Sequence, residues 1–147
     1  MKLSSPEFAD GGRIPVRYTC DGENVNPPLA VAEVPAEAVE LALIVDDPDA
    51  VGGRTFVHWV VSGIPVVDRI EADSVPGHEG ATSFGRPGYG GPCPPSGTHR
   101  YFFKLYALDR RLEPGSAPDK AGLSTAMRGH VLAEAALVGL YSRPGRG

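Results

Sequence analysis

Val39-Glu40-Leu41-Ala42-Leu43-Ile44-Val45 is nearly all apolar and stops at Asp46-Asp47-Pro48-Asp49. A segment this short and this apolar, bounded by turn residues, reads as a strand covered on both faces. The next run, Thr55 to Ser62, places Phe56, His58 and Val60 on one face and Val57, Trp59 and Val61 on the other. It too is expected to be at least partly buried on both sides. Gly63-Ile64-Pro65 terminates it.

Working outward, Ile14 to Thr19 is a short β-branched and aromatic run closed by Cys20-Asp21-Gly22, and it reads as a strand followed by a turn. Arg100 to Leu108 is the most aromatic strand candidate, and Ala136 to Ser142 supplies a last one. Between these, Ser124 can cap a short helix through about Leu132. Residues 66 to 98 form a long irregular excursion, and a loop of that length in a compact domain is usually functional. With 19 Gly and 15 Pro the chain is interrupted too often for long helices. The expected fold is mainly β: an antiparallel β-sandwich of Greek-key type with one or two short helices. At 147 residues, with no repeat or linker, one domain spanning 1–147 is expected.

Apolar residues at 41% and charged ones at 22% exclude a disordered or coiled-coil chain. The net charge of −4 and the scattered basic residues argue against a nucleic-acid partner. Met1 to Asp10 contains no apolar stretch of signal-peptide or membrane-span length. The expected compartment is the cytoplasm, without stable membrane insertion. Cys20 and Cys93 lack the spacing of a zinc or redox motif, and two free thiols are the default expectation in a reducing compartment. A disulfide stays open, because both cysteines flank loops assigned below to a pocket rim.

Three carboxylates at Asp46, Asp47 and Asp49 repel one another and call for partners, unless they form only a solvated turn. His58 lies in an otherwise apolar strand, where a buried imidazole needs hydrogen bonds; a satisfied core histidine is the competing reading. His99 and Tyr101 share parity on a strand, so their side chains point to one face about 7 Å apart. They follow Gly88-Tyr89-Gly90-Gly91-Pro92-Cys93-Pro94-Pro95-Ser96-Gly97-Thr98. Glycines there can present backbone N–H groups to an anion while prolines stiffen the loop. Two histidines and a carboxylate also form a known metal-ligand set, but no ligand-bearing short motif accompanies them. Ser96 near His99 is the one candidate nucleophile, and Gly-x-Ser-x-Gly is absent.

Three segments, in order, carry a resemblance: Asp47-Pro48-Asp49-Ala50, Phe56-Val57-His58-Trp59, and Gly91-Pro92-Cys93-Pro94-Pro95-Ser96-Gly97-Thr98-His99-Arg100-Tyr101. Tyr18-Thr19-Cys20-Asp21-Gly22, Gly129-His130 and Leu137-Val138-Gly139-Leu140-Tyr141 extend it over nearly the whole chain. The sequence resembles the phosphatidylethanolamine-binding protein family, in its shorter bacterial and archaeal branch, often labelled Raf-kinase-inhibitor-like. The resemblance implies an antiparallel β-sandwich and a pocket for phosphate-like anions. By motif position that pocket would use Asp47, Asp49, His58, Gly91, Pro92, His99 and Tyr101. In it His58 and Tyr101 line the cavity, His99 and the Gly91-Pro92 backbone close it, and Asp47 orients the polar network. Two departures stand out: Val51 where the family usually continues with proline, and Thr82 where many relatives carry asparagine.

The leading functional expectation is a non-catalytic, possible regulatory protein that binds a phosphorylated or carboxylated small molecule, phosphoethanolamine-like groups included, without a cofactor. An acid/base enzyme using the same His, Asp and Tyr residues is the second reading. An interaction module acting through the pocket rim, with a homodimer as its simplest form, is the third.

Overall fold

The structure, a computed structural model, describes residues 1–113 and 118–145. Its elements are β1 (Lys2–Ser4), β2 (Gly12–Arg13), β3 (Leu29–Ala32), β4 (Glu40–Asp47), β5 (Phe56–Ile64), β6 (Arg69–Ile70), β7 (His78–Glu79), β8 (His99–Leu108), α1 (Lys120–Met127) and β9 (Val131–Tyr141). They form a three-stranded sheet in the order β1-β3-β6 and a six-stranded sheet in the order β2-β9-β8-β4-β5-β7. All pairings are antiparallel except β2 with β9, which is parallel. The mainly β expectation therefore holds, with that one parallel pair as an exception.

The apolar run of β4 sits at the centre, paired with β5 on one side and β8 on the other, and every residue of it is buried. Leu41, Leu43 and Val45 face the main core, where Leu3, Leu29, Val31 and Ile70 of the small sheet meet Trp59, Phe103 and Leu105 of the large one. Ala42 and Ile44 face the other way, into a second core with Val60 and with Leu123 and Met127 of α1. Thus the continuous hydrophobicity of residues 41–45 reflects a sheet covered by a second sheet on one face and by a helix on the other, while Val39, just before the strand, is 44% exposed.

Three local expectations are corrected. Ile14 to Thr19 is not a strand: Pro15 opens a 3-10 turn over Val16–Tyr18, with the Tyr18 N–H donating to the Pro15 carbonyl. The helix starts earlier than Ser124, because the Asp119 side chain caps it by accepting from the Gly122 N–H. It is over by Arg128, and Gly129 at φ +82° turns the chain into β9, which begins at Val131 rather than Ala136.

Gly139 of β9 stands where no side chain fits. A Cβ there would lie 2.4 Å from Ile14 Cγ1 and 2.9 Å from Phe8 Cε2. Gly139→Ala is expected to destabilise the fold by about 2 kcal/mol through overpacking, with an unchanged dependence on denaturant concentration, as urea unfolding would show.

Candidate functional site

At the end of β4 the alternation of the strand separates the three aspartates, and each receives its own partners. Asp46, 1% exposed, points to the helix side, where its Oδ2 accepts from Lys104 Nζ at 3.1 Å and Lys120 Nζ at 2.8 Å. Asp47, 3% exposed, points to the opposite side, and its Oδ2 lies 2.7 Å from His99 Nδ1. Its Oδ1 accepts from the Asp49 N–H at 2.7 Å, which fixes the turn. Asp49 binds the Arg100 guanidinium through both oxygens and also accepts from the Arg100 N–H. The Arg100 guanidinium holds the Asp49 carboxyl down at about 2, with the Arg100 N–H and charge adding to the shift. The solvated-turn reading is therefore overturned for Asp46 and Asp47, which are buried: Asp46 pairs with Lys104 and Lys120, Asp47 is hydrogen-bonded to His99, and Asp49 pairs with Arg100 in the turn.

His58 reaches the same place through a bulge. Along β4 and β5, Val45 pairs with Trp59 and Asp46 with Val57, so His58 is the extra residue on β5. A bulge redirects the side chain it carries. Phe56, His58 and Val60 consequently do not share a face: Val60 packs beneath α1, whereas His58 turns toward Tyr101, ring centroids 5.2 Å apart. His58 Nδ1 donates to the Gly90 carbonyl at 2.7 Å, because a carbonyl can only accept. Burial lowers the His58 pKa below its ordinary value, against the opposing pull of the Gly90 carbonyl and of Asp47.

His99 and Tyr101 do share a face of β8, with ring centroids 6.4 Å apart and nearly parallel. The Tyr101 phenol is pushed above its ordinary value, first by burial and then by the charge of Asp47. His58, Tyr101, His99 and Asp47 thus form one polar row along a cavity of about 350 Å³. The remaining wall is mostly apolar: Phe56, Phe84, Ala50, Val51, Pro94 and Pro95, together with Cys93. With His58 Nδ1 on a carbonyl and His99 Nδ1 on a carboxylate, each ring keeps Nε2 for a ligand.

Three of the expected site residues stand behind the cavity. Asp49 holds the start of β8 through Arg100. The Gly91 N–H donates to Asn24 Oδ1, the Gly90 N–H donates to the His58 carbonyl, and the Pro92 carbonyl accepts from the Cys20 N–H. Of the glycine N–H groups expected to face an anion, those of Gly90 and Gly91 are therefore engaged within the protein. Gly91 is glycine for a close approach: a Cβ there would lie 2.5 Å from both Asn24 Oδ1 and the Tyr18 carbonyl. Phe56 and Phe84 escaped the sequence reading. Phe56 was visible only as a strand residue, and Phe84 lies in an irregular loop with no periodicity to place it.

The free-thiol expectation is corrected. Cys20 and Cys93 form a disulfide, with Cα atoms 5.4 Å apart, and it ties the turn after the 3-10 segment to the pocket wall. The two residues are remote in the chain, so only the fold brings them together. Among the described residues no group of three or more His, Cys, Asp or Glu side chains is arranged to hold a metal ion. Among the same residues no helix is long and apolar enough to cross a membrane.

The fold agrees with what the chain is similar to. The family model described as phosphatidylethanolamine-binding protein matches residues 4–142. A "UPF0098 protein" of Methanothermobacter thermautotrophicus is 51% identical, with 97% of this chain and 99% of that protein covered. "Putative lipoprotein LppC" of Mycobacterium tuberculosis is 47% identical, over 96% of this chain and 72% of that protein. Among solved structures, the "Putative PhosphatidylEthanolamine-Binding Protein (PEBP) Homolog CT736" of Chlamydia trachomatis superposes with a TM-score of 0.94 at 38% identity, covering 97% of each chain. This chain belongs to the phosphatidylethanolamine-binding protein family.

Proposed function

We propose that this chain binds a small phosphorylated or carboxylated molecule in the cavity between β5, β8 and the loop of residues 81–98. The observation that carries the reading is the pair of imidazoles. Each has Nδ1 committed to a protein acceptor and Nε2 left for an anionic oxygen, inside one partly apolar cavity. Asp47 supports this indirectly, because it holds His99 in the orientation that leaves Nε2 available.

Binding should stabilise the protein. At a ligand concentration 100-fold above Kd the gain is about 2.7 kcal/mol, readable as a rise in melting temperature. Inorganic phosphate, phosphoethanolamine and acetate are expected to give concentration-dependent shifts that disappear in His58→Ala. No shift with any of them in the wild type would overturn the reading.

The pH dependence follows from the direction of the His58 shift. Free His58 is neutral over more of the acidic range than an ordinary histidine, and a bound anion raises its proton affinity. Affinity should therefore fall as pH rises from the depressed value of the free protein to the raised value of the complex. Without ligand the sign reverses for stability. The folded pKa is lowered, so the His58 contribution is fully present above the ordinary value of 6.5 and is lost as pH falls through the folded value.

The acid/base reading has one observation in its favour, the buried Asp47–His99 pair at 2.7 Å, in which His99 Nε2 is placed as a base. Turnover of a bound ester, lost selectively in Asp47→Asn, would support it. The disulfide bears on the compartment. Such bonds persist in oxidising surroundings, which we favour over the reducing cytoplasm expected from the sequence.

A further inference from the structure

Phe84 lies at the edge of the cavity, 38% exposed, in a tight turn where the Gly85 N–H donates to the Thr82 carbonyl. Thr82 Oγ1 accepts from the Phe84 N–H and donates to the Arg86 carbonyl, so the turn is held on both sides of the ring. The ring meets Phe56 edge-on at 4.9 Å and His58 at 5.4 Å. Gly90 leaves room for it: a Cβ there would fall 2.1 Å from Phe84 Cε2. The Arg86 guanidinium lies over the same ring, 5.8 Å from its centroid.

The polar atoms of the cavity form one row that ends at His58, and the aromatic pair continues from His58 outward. A volume of about 350 Å³ is in the range of small-molecule sites, more than a bare phosphate or acetate fills. A ligand whose charge sits between the imidazoles would extend its remaining atoms against Phe84. Flat aromatic groups gain most there, through edge-to-face and offset contacts.

We infer that the pocket selects anions bearing an aromatic body, aryl phosphates or aryl carboxylates, and that Phe84 is the specificity-determining residue. The inference rests on the anion-binding reading. The anionic group meets the His58 and His99 Nε2 atoms while the aromatic ring lies against Phe84 and Phe56.

Calorimetric titration at about pH 6, where imidazoles can protonate, tests this with inorganic phosphate, n-butyl phosphate and phenyl phosphate on wild type and Phe84→Ala. Benzoate against acetate repeats the comparison for a carboxylate. Phenyl phosphate is expected to bind about tenfold tighter than phosphate, and tighter than the butyl ester. In Phe84→Ala the advantage of phenyl phosphate over phosphate should shrink to about twofold. Phe84→Leu, which keeps an apolar side chain on the turn, should lose the difference between phenyl and butyl esters. Phosphate binding with no aryl preference, or an aryl preference that survives in Phe84→Ala, would overturn this inference alone. Failure of every anion to bind the wild type would overturn it together with the anion-binding reading.

Discussion

Replacing Cys20 and Cys93 together by serine is expected to remove about 4 kcal/mol of stability, from the chain entropy released when a loop of 73 residues is no longer closed. For a chain of this size that lowers the melting temperature by on the order of 10 °C. The bond joins segments that hydrogen bonds already hold together, since the Cys20 N–H donates to the Pro92 carbonyl and Tyr89 Oη donates to the Tyr18 carbonyl. The native structure should therefore survive in the double variant, with the loss lying mainly in the freer unfolded chain. Thermal melting of wild type with and without a dithiol reductant, beside the variant, measures the effect. Thiol titration under denaturing conditions should count no thiols before reduction and two after. Two thiols without reductant, or a variant that melts with the wild type, would show that the bond does not form.

Asp47→Ala is expected to cost about 3 kcal/mol, because it removes one member of a buried pair and strands the other. His99 Nδ1 loses its acceptor and the Asp49 N–H loses the oxygen that fixes the turn. Both Asp47 and His99 are buried, so leaving His99 Nδ1 without its acceptor carries a desolvation cost. Asp47→Asn keeps the shape and one acceptor oxygen, and it should lose less. Urea unfolding of the two variants gives the comparison, and anion titration on the same samples separates the local from the global effect. A folded Asp47→Asn protein is expected to bind anions more weakly, since an amide no longer fixes His99 with Nδ1 as the donor. Equal stability of Asp47→Ala and wild type would mean that the pair contributes nothing to the fold.

Much of the site was legible in residue type and parity. His99 and Tyr101 had to share a face once residues 99–108 were a strand, and a two-residue period does not depend on what packs against it. The three aspartates announced that partners would be needed, but not which ones. Lys104, Lys120, His99 and Arg100 come from elements far along the chain or from a neighbouring strand. Along β5 the same parity argument held for Phe56 and His58, which share the cavity, and failed for Val60, which joins Val57 on the helix side. A bulge inserts one residue, and nothing in Phe56-Val57-His58-Trp59 marks where it falls.

By itself the sequence determined the β class, the covering of residues 41–45 on both faces, the burial of His58 and the polar set at Asp47, His99 and Tyr101. These follow from local chemistry: apolar runs must be covered, strands alternate, and buried polar groups need partners. Only the tertiary structure decided the pairing of Cys20 with Cys93, the bulge that turns His58 into the cavity, and the engagement of the Gly90 and Gly91 N–H groups within the protein. It also decided that Phe84 joins the cavity wall. Each of these depends on which remote segments come into contact, and that is set by how two sheets and a helix pack, not by the residues' own neighbours in the chain.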